Sequence, residues 1–116
     1  MKVKRIVPDF LVDDPARAHA FYGRVLGLDA LMDMGWIATY GRPGEKSVQV
    51  TFLTEGGAGA AAPDLSVEVD DLEVALSRAR DAGFAIEYGP VTEPWGVRRF
   101  FVRDPFGKLV NVLQHV

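Results

Sequence analysis

Few residues in this chain can do chemistry. There is no cysteine and there are two histidines, which removes disulfides, thiolate metal sites and a cysteine nucleophile at once. His19 falls within a helical pattern two residues before Phe21 and reads as a partly exposed helix residue. His115 is next to the last residue and reads as frayed. Neither position supports a Ser-His-Asp set. Carboxylates are left: Asp9 and Asp64, each on the opening strand of a module, and Glu93 in the loop before Trp95. A buried carboxylate with a raised pKa can act as general base in an isomerase or lyase step, so these three carry an enzymatic reading. Other residues carry a binding reading. Trp36 follows Gly35 and Trp95 precedes Gly96, which suits flat stacking platforms at a pocket mouth. Gln49, Thr51 and Asn111 are polar residues alternating with apolar stripes, placed to orient a ligand by hydrogen bonds. Arg98 and Arg99 are adjacent, so strand alternation turns one of them inward, toward a ligand carboxylate or phosphate; the sequence leaves open which one. No G-x-G-x-x-G, P-loop or H-E-x-x-H motif occurs.

The chain has 116 residues, with 13 Lys+Arg against 16 Asp+Glu, 48% hydrophobic residues and 25% charged ones. These values fit one compact soluble domain with a real core and argue against disorder. A net charge of −3 gives no basic surface for nucleic acid. No apolar run approaches the roughly 20 residues of a membrane span, and MKVKRIVPDF is too short in its apolar part for a signal peptide. A cytoplasmic protein is the expectation.

The elements that must position these residues come in two rounds. Val3–Val12 reads as a strand with Pro8 at an edge or bulge. Asp14 and Pro15 open a helix running to Gly27, with Ala18, Phe21, Tyr22, Val25 and Leu26 as its apolar stripe. Strands come next at Asp29–Met34, Trp36–Tyr40 and Ser47–Thr54. In the last, Val48, Val50 and Phe52 face one way and Gln49, Thr51 and Leu53 the other. Gly56–Pro63, GGAGAAAP, reads as a flexible linker. The order then repeats: strand Asp64–Val69, a helix capped by Asp70/Asp71 running to about Ala82, and strands Phe84–Tyr88, Val97–Arg103 and Lys108–Gln114. A DPFG turn joins the last two. Val12-Asp13-Asp14 matches Val69-Asp70-Asp71, and Ala18 matches Ala75. The expected fold class is therefore α+β, with two βαβββ modules: module one 1–55, linker 56–63 and module two 64–116.

AFYGRVLGL (Ala20–Leu28), VEVDDLEVALSRARDAG and FFVRDPFGKLVNVL (Phe100–Leu113) together resemble the vicinal oxygen chelate superfamily, which includes glyoxalase I, the bleomycin-resistance proteins and the extradiol dioxygenases. The resemblance covers nearly the whole chain. It implies a curved mixed sheet forming a cup, helices on its convex side, and homodimers in which module pairing is within one chain or exchanged between subunits. In metal-bearing members, ligands come from the first and last strand of each module. The corresponding positions here are Val7, then Gln49 or Thr51, then Asp64 with Ser66 next on the same face, then Asn111. Valine coordinates nothing, and carboxamides are weak ligands for divalent transition metals, so no metal and no cofactor are expected. The resemblance then implies a metal-free cup binding a small molecule, as in antibiotic sequestration of the bleomycin-resistance type. Trp36, Gln49, Thr51, Asp64, Trp95, Arg98 and Asn111 are its candidate contacts. The alternative is a metal-dependent or carboxylate-based lyase, isomerase or dioxygenase of the same superfamily. No nucleic-acid or membrane partner is expected.

Overall fold

A computed structural model describes all 116 residues. It resolves into two compact units, Val7–Ala62 and Pro63–Val116, and the first six residues, Met1–Ile6, group with the second of them. The strands are β1 (Val3–Leu11), β2 (Asp29–Asp33), β3 (Ile37–Arg42), β4 (Glu45–Leu53), β5 (Leu65–Val69), β6 (Ile86–Glu93), β7 (Val97–Arg103) and β8 (Leu109–His115). The one α-helix is α1 (Leu72–Asp81). Within the first unit the sheet order is β2-β3-β4-β1, and within the second β5-β8-β7-β6. Both sheets are mixed. β1 runs parallel to β4 with Asp9 opposite Thr51, and β5 runs parallel to β8 with Ser66 opposite Asn111. The other pairings described are antiparallel. The two parallel pairs are repeat equivalents: Ser66 stands to Val69 as Asp9 stands to Val12. The fold is α+β, as expected.

In the second unit, α1 obeys its sequence signals closely. Asp71 takes the extended N-cap conformation and accepts from the Val74 amide at 3.2 Å, satisfying one of the helix's orphan donors. Gly83, at φ +86°, supplies the left-handed exit. The inward residues Leu72, Ala75, Leu76 and Ala79 pack against Val67, Val69, Phe100, Val102 and Val112. Leu72 and Phe100 are almost wholly removed from water, worth about 1.5–3 kcal/mol apiece. Gln114 stitches the helix to the sheet: its amide accepts from Leu72 N at 2.8 Å and donates to the Asp70 carbonyl at 2.9 Å.

The first unit departs from expectation. The helix expected over Asp14–Gly27 is a 3₁₀ turn at Pro15–Ala18 and then a wide π-type turn at His19–Gly23. Arg24 N reaches the His19 carbonyl at 3.0 Å and Leu26 N the Phe21 carbonyl at 3.1 Å, both five residues back. Widening the turn carries later residues around the axis. Ala18 and Tyr22 therefore meet the core of Ala38, Tyr40 and Phe52, while Phe21 (52% exposed), Val25 and Leu26 face outward. Gly23 permits this, because a Cβ there would lie 2.5 Å from His19 Nδ1. The GGAGAAAP segment also differs from a free linker. Gly56 N bonds the Ala60 carbonyl and Ala60 N the Gly57 carbonyl, each at 2.9 Å, and both glycines are buried. β6 runs on to Glu93, well beyond Tyr88. The Gly-Pro pair at 89–90 sits in a register shift between Tyr88 and Val91 and does not end the strand.

Candidate functional site

In each unit the helical segment covers one sheet face, and the opposite face carries polar side chains. Alternation assigns the faces. In the first unit Val50, Phe52, Ala38 and Tyr40 lie on the helical side. Gln49, Thr51, Thr39 and Asp9 therefore share the other face. Thr39 Oγ1 and Thr51 Oγ1 are 2.7 Å apart, and Asp9 and Thr51 are both buried. In the second unit Val67, Phe100 and Val112 lie against α1, so Ser66, Glu68, Arg99, Phe101, Asn111 and His115 share the opposite face.

Of the two adjacent arginines, Arg99 is the one that turns to this polar face. Arg98 lies on the helical side, with Nε 2.8 Å from Glu73 Oε1 on α1, and so is not on the Asn111 face. Arg99 is 4% exposed. Its Nε and Nη2 both donate to Glu93 Oε2, the former at 2.8 Å. Its Cζ stands 5.2, 5.1 and 4.9 Å from the ring centroids of Tyr88, Trp95 and Phe101. The Tyr88 hydroxyl also donates to Glu93 Oε2, at 3.1 Å. A planar cation stacked among aromatic faces and paired with a carboxylate is the arrangement that makes a buried arginine tolerable. Glu93 is thereby committed to an ion pair, contrary to its expected place among candidate general bases.

Asn111 lies at the middle of the face, 8% exposed. Its Nδ2 donates to Ser66 Oγ at 3.1 Å, while its Oδ1 is buried with no hydrogen-bond partner. Whichever way round the amide sits, one of its polar ends is buried without a hydrogen-bond partner. Nearer the end of β8, His115 is not frayed: its Nδ1 lies 2.8 Å from Glu68 Oε2. Arg5 Nε lies 3.1 Å from the other Glu68 oxygen.

The remaining expected contacts lie elsewhere or at the rim. Asp64 is exposed before β5, and its Oδ2 accepts from Leu109 N at 2.9 Å. It closes the β5–β8 pairing and is not a buried ligand-facing carboxylate. Trp36 is half-buried at the β2–β3 turn, its carbonyl accepting from Thr54 N at 3.0 Å. Trp95 is 44% exposed in the β6–β7 turn, with Arg99 against its ring. Thus Gln49 and Thr51 are brought together in one unit, Trp95 joins Arg99 in the other, and Arg98 and Asp64 stand apart. Glu68 and Tyr88 escape a reading from sequence, and His115 is read there only as a frayed end. Alternation from Ser66 and Asn111 could have flagged Glu68 and His115. Two hollows, of about 230 and 260 Å³, open on the helical sides near Asp14–Ala18 and near Phe84 and Pro105; neither holds an expected contact.

The metal positions implied by the resemblance hold Val7, Gln49 or Thr51, Asp64 and Asn111, with the Asp64 carboxylate engaged at Leu109 N. No three His, Asp or Glu side chains converge to hold a metal ion. This donor set does not fit a transition metal.

No curated protein matches the chain. Among solved structures, a protein of Legionella pneumophila described as an NAD-dependent benzaldehyde dehydrogenase superposes with a TM-score of 0.74 at 17% identity, covering 96% of this chain and 99% of its own. Methylmalonyl-CoA epimerase from Mycobacterium tuberculosis gives 0.72 at 19% identity, with 98% and 89% covered. A glyoxalase/bleomycin resistance protein/dioxygenase superfamily member from Vibrio splendidus 12B01 gives 0.67 at 19% identity, with 95% and 97% covered. At these identities the likeness is one of fold. The model of the Glyoxalase/Bleomycin resistance protein/Dioxygenase superfamily matches residues 2–112, nearly the entire chain, and the chain belongs to that superfamily.

Proposed function

We propose that this chain is a metal-independent small-molecule binding protein of the glyoxalase/bleomycin-resistance type. It acts in the cytoplasm as a homodimer and sequesters an antibiotic or metabolite. The observation that carries this reading is the buried, unpartnered Oδ1 of Asn111, on a sheet face that also holds Ser66, Arg99 and an aromatic wall. A ligand N–H or O–H would complete Asn111, and Trp95 offers a ring to stack on. The weak donor set at the family's metal positions supports binding without a metal.

The test separates binding from folding. Asn111→Leu keeps the side-chain volume and removes the unsatisfied oxygen. It also loses the Nδ2 bond to Ser66 Oγ, so the melting temperature should change little as the two effects offset, yet ligands found in a thermal-shift library should bind about tenfold or more weakly. Unchanged affinity in that variant would remove Asn111 from the site. Stoichiometric Zn, Ni, Mn or Fe in purified protein would overturn metal independence. A carboxylate-based lyase or isomerase is the second reading. It has one observation in its favour: Asp9 is buried beside Thr51. Turnover abolished by Asp9→Asn would establish it.

A further inference from the structure

The second unit carries an acid–base group that the binding reading leaves unused. Glu68 is buried, and its two oxygens face His115 Nδ1 at 2.8 Å and Arg5 Nε at 3.1 Å. A carboxylate can only accept, so Nδ1 is the nitrogen that donates to Glu68. In the neutral tautomer that this bond selects, Nε2 is the lone-pair acceptor. The His115 side chain is 57% exposed, so that acceptor is accessible. Trp95 belongs to the same corner. His115 pairs with Val97 across the β7–β8 ladder, and Val116 N bonds the Gly96 carbonyl at 3.0 Å, tying the end of β8 to the turn that carries Trp95. Arg99 lies against the indole, placing Trp95 and His115 toward one sheet face. Trp95 and the His115 imidazole, both exposed, thus lie at the same end of the β7–β8 pairing.

We propose that this corner binds a planar aromatic ligand bearing an acidic hydroxyl, a phenol or enol, with its ring stacked on Trp95 and its hydroxyl on His115 Nε2. The proposal rests on the small-molecule reading and names the ligand class for it. The ligand's O–H bond breaks, its electron pair stays on oxygen, and the proton forms the second N–H of His115. The charged groups around the imidazole's end of the face are Glu68 from β5, paired with it and with Arg5 from β1, and the Glu93–Arg99 pair from β6 and β7 on the same sheet face. Glu68 offsets Arg5 and Glu93 offsets Arg99, so the new imidazolium is balanced by the ligand's own anion. This favours hydroxyls whose acidity is close to that of imidazole over ordinary alcohols.

4-Nitrophenol tests this directly, because its absorption band reports ionisation, with 4-nitroanisole as the control lacking the hydroxyl. Wild-type protein should bind 4-nitrophenol saturably, quench tryptophan fluorescence, and show the nitrophenolate band at a pH below the free phenol's pKa. His115→Gln should abolish that band and weaken binding about tenfold while quenching at saturation persists. Glu68→Gln should reduce the band with the fold intact by circular dichroism. Trp95→Ala should lose the quenching. 4-Nitroanisole should bind at least about tenfold more weakly than 4-nitrophenol. Equal affinity for the two probes, a nitrophenolate band unchanged in His115→Gln, or no saturable binding of 4-nitrophenol overturns the proposal. If the thermal-shift library still yields ligands that need Asn111, only this ligand class fails. If 4-nitrophenol binds at His115 and no ligand depends on Asn111, the Asn111 reading fails instead.

Discussion

Arg99 and Glu93 are two opposite charges taken almost entirely out of water, and the structure holds them with stacked rings and a tyrosine hydroxyl. Removing one partner of such a pair leaves the other as an uncompensated buried charge. Arg99→Met should therefore lower unfolding stability by about 3–5 kcal/mol, and the double variant Arg99→Met/Glu93→Leu should regain much of that loss. Urea denaturation of the two singles and the double closes the cycle; independent, additive losses would mean the pair is not coupled. At this scale the sequence is half legible. Strand alternation tells that one of Arg98 and Arg99 must turn inward, but not which, because Glu73 and Glu93 each supply a carboxylate partner and lie on different elements. Asp64 reads as a site carboxylate because its position in the repeat is that of a ligand. Its actual partner, a backbone amide 45 residues away, leaves no local trace. The place of Asn111 on the polar face is legible because its strand alternates cleanly.

Elements with strong local punctuation form as expected. α1 has an aspartate cap, an inward set at helical spacing and a terminal glycine, and each does in the structure what its chemistry suggests. Asp71→Ala should destabilise the protein by about 1 kcal/mol, within the 0.5–2 kcal/mol range of lost N-caps. A thermal melt showing no change would mean that Gln114, which already satisfies Leu72 N, suffices to hold the helix start. The first helical segment carries equally good signals and becomes a 3₁₀ turn and a π turn. Apolar periodicity cannot reveal this, because one deciding contact is tertiary, Tyr22 set 4.7 Å from the Phe52 ring centroid, and the other, the His19 ring over Gly23, is local but involves no apolar spacing. The same limit applies to β6. Gly89-Pro90 looks like a stop in sequence, but a register shift absorbs it and the ladder continues to Glu93 opposite Val97. Local chemistry predicts an element's ends well when nothing else competes for those residues.

At the scale of the whole molecule, the two units divide between Ala62 and Pro63, within the glycine-alanine segment, with one exception. The duplication suggests a boundary in that segment but not that the first six residues group with Pro63–Val116. Three contacts account for this. Lys2 N donates to Asp70 Oδ1 at 2.7 Å, Asp70 N donates to the Lys2 carbonyl at 3.1 Å, and Arg5 faces buried Glu68. The opening residues thus complete the loop before α1 and offset the carboxylate that orients His115. Arg5 is partly exposed, so solvent screens its contribution, and Arg5→Ala should cost about 1–3 kcal/mol, less than breaking a fully buried pair. The loss should also be local. In hydrogen exchange, amides of β5 and β8 should lose protection in Arg5→Ala while those of β2, β3 and β4 keep theirs, because the lost contact belongs to one unit. Protection lost equally across both units would show that the opening hexapeptide serves the entire chain alike, and the assignment of residues 1–6 to the second unit would have to be given up.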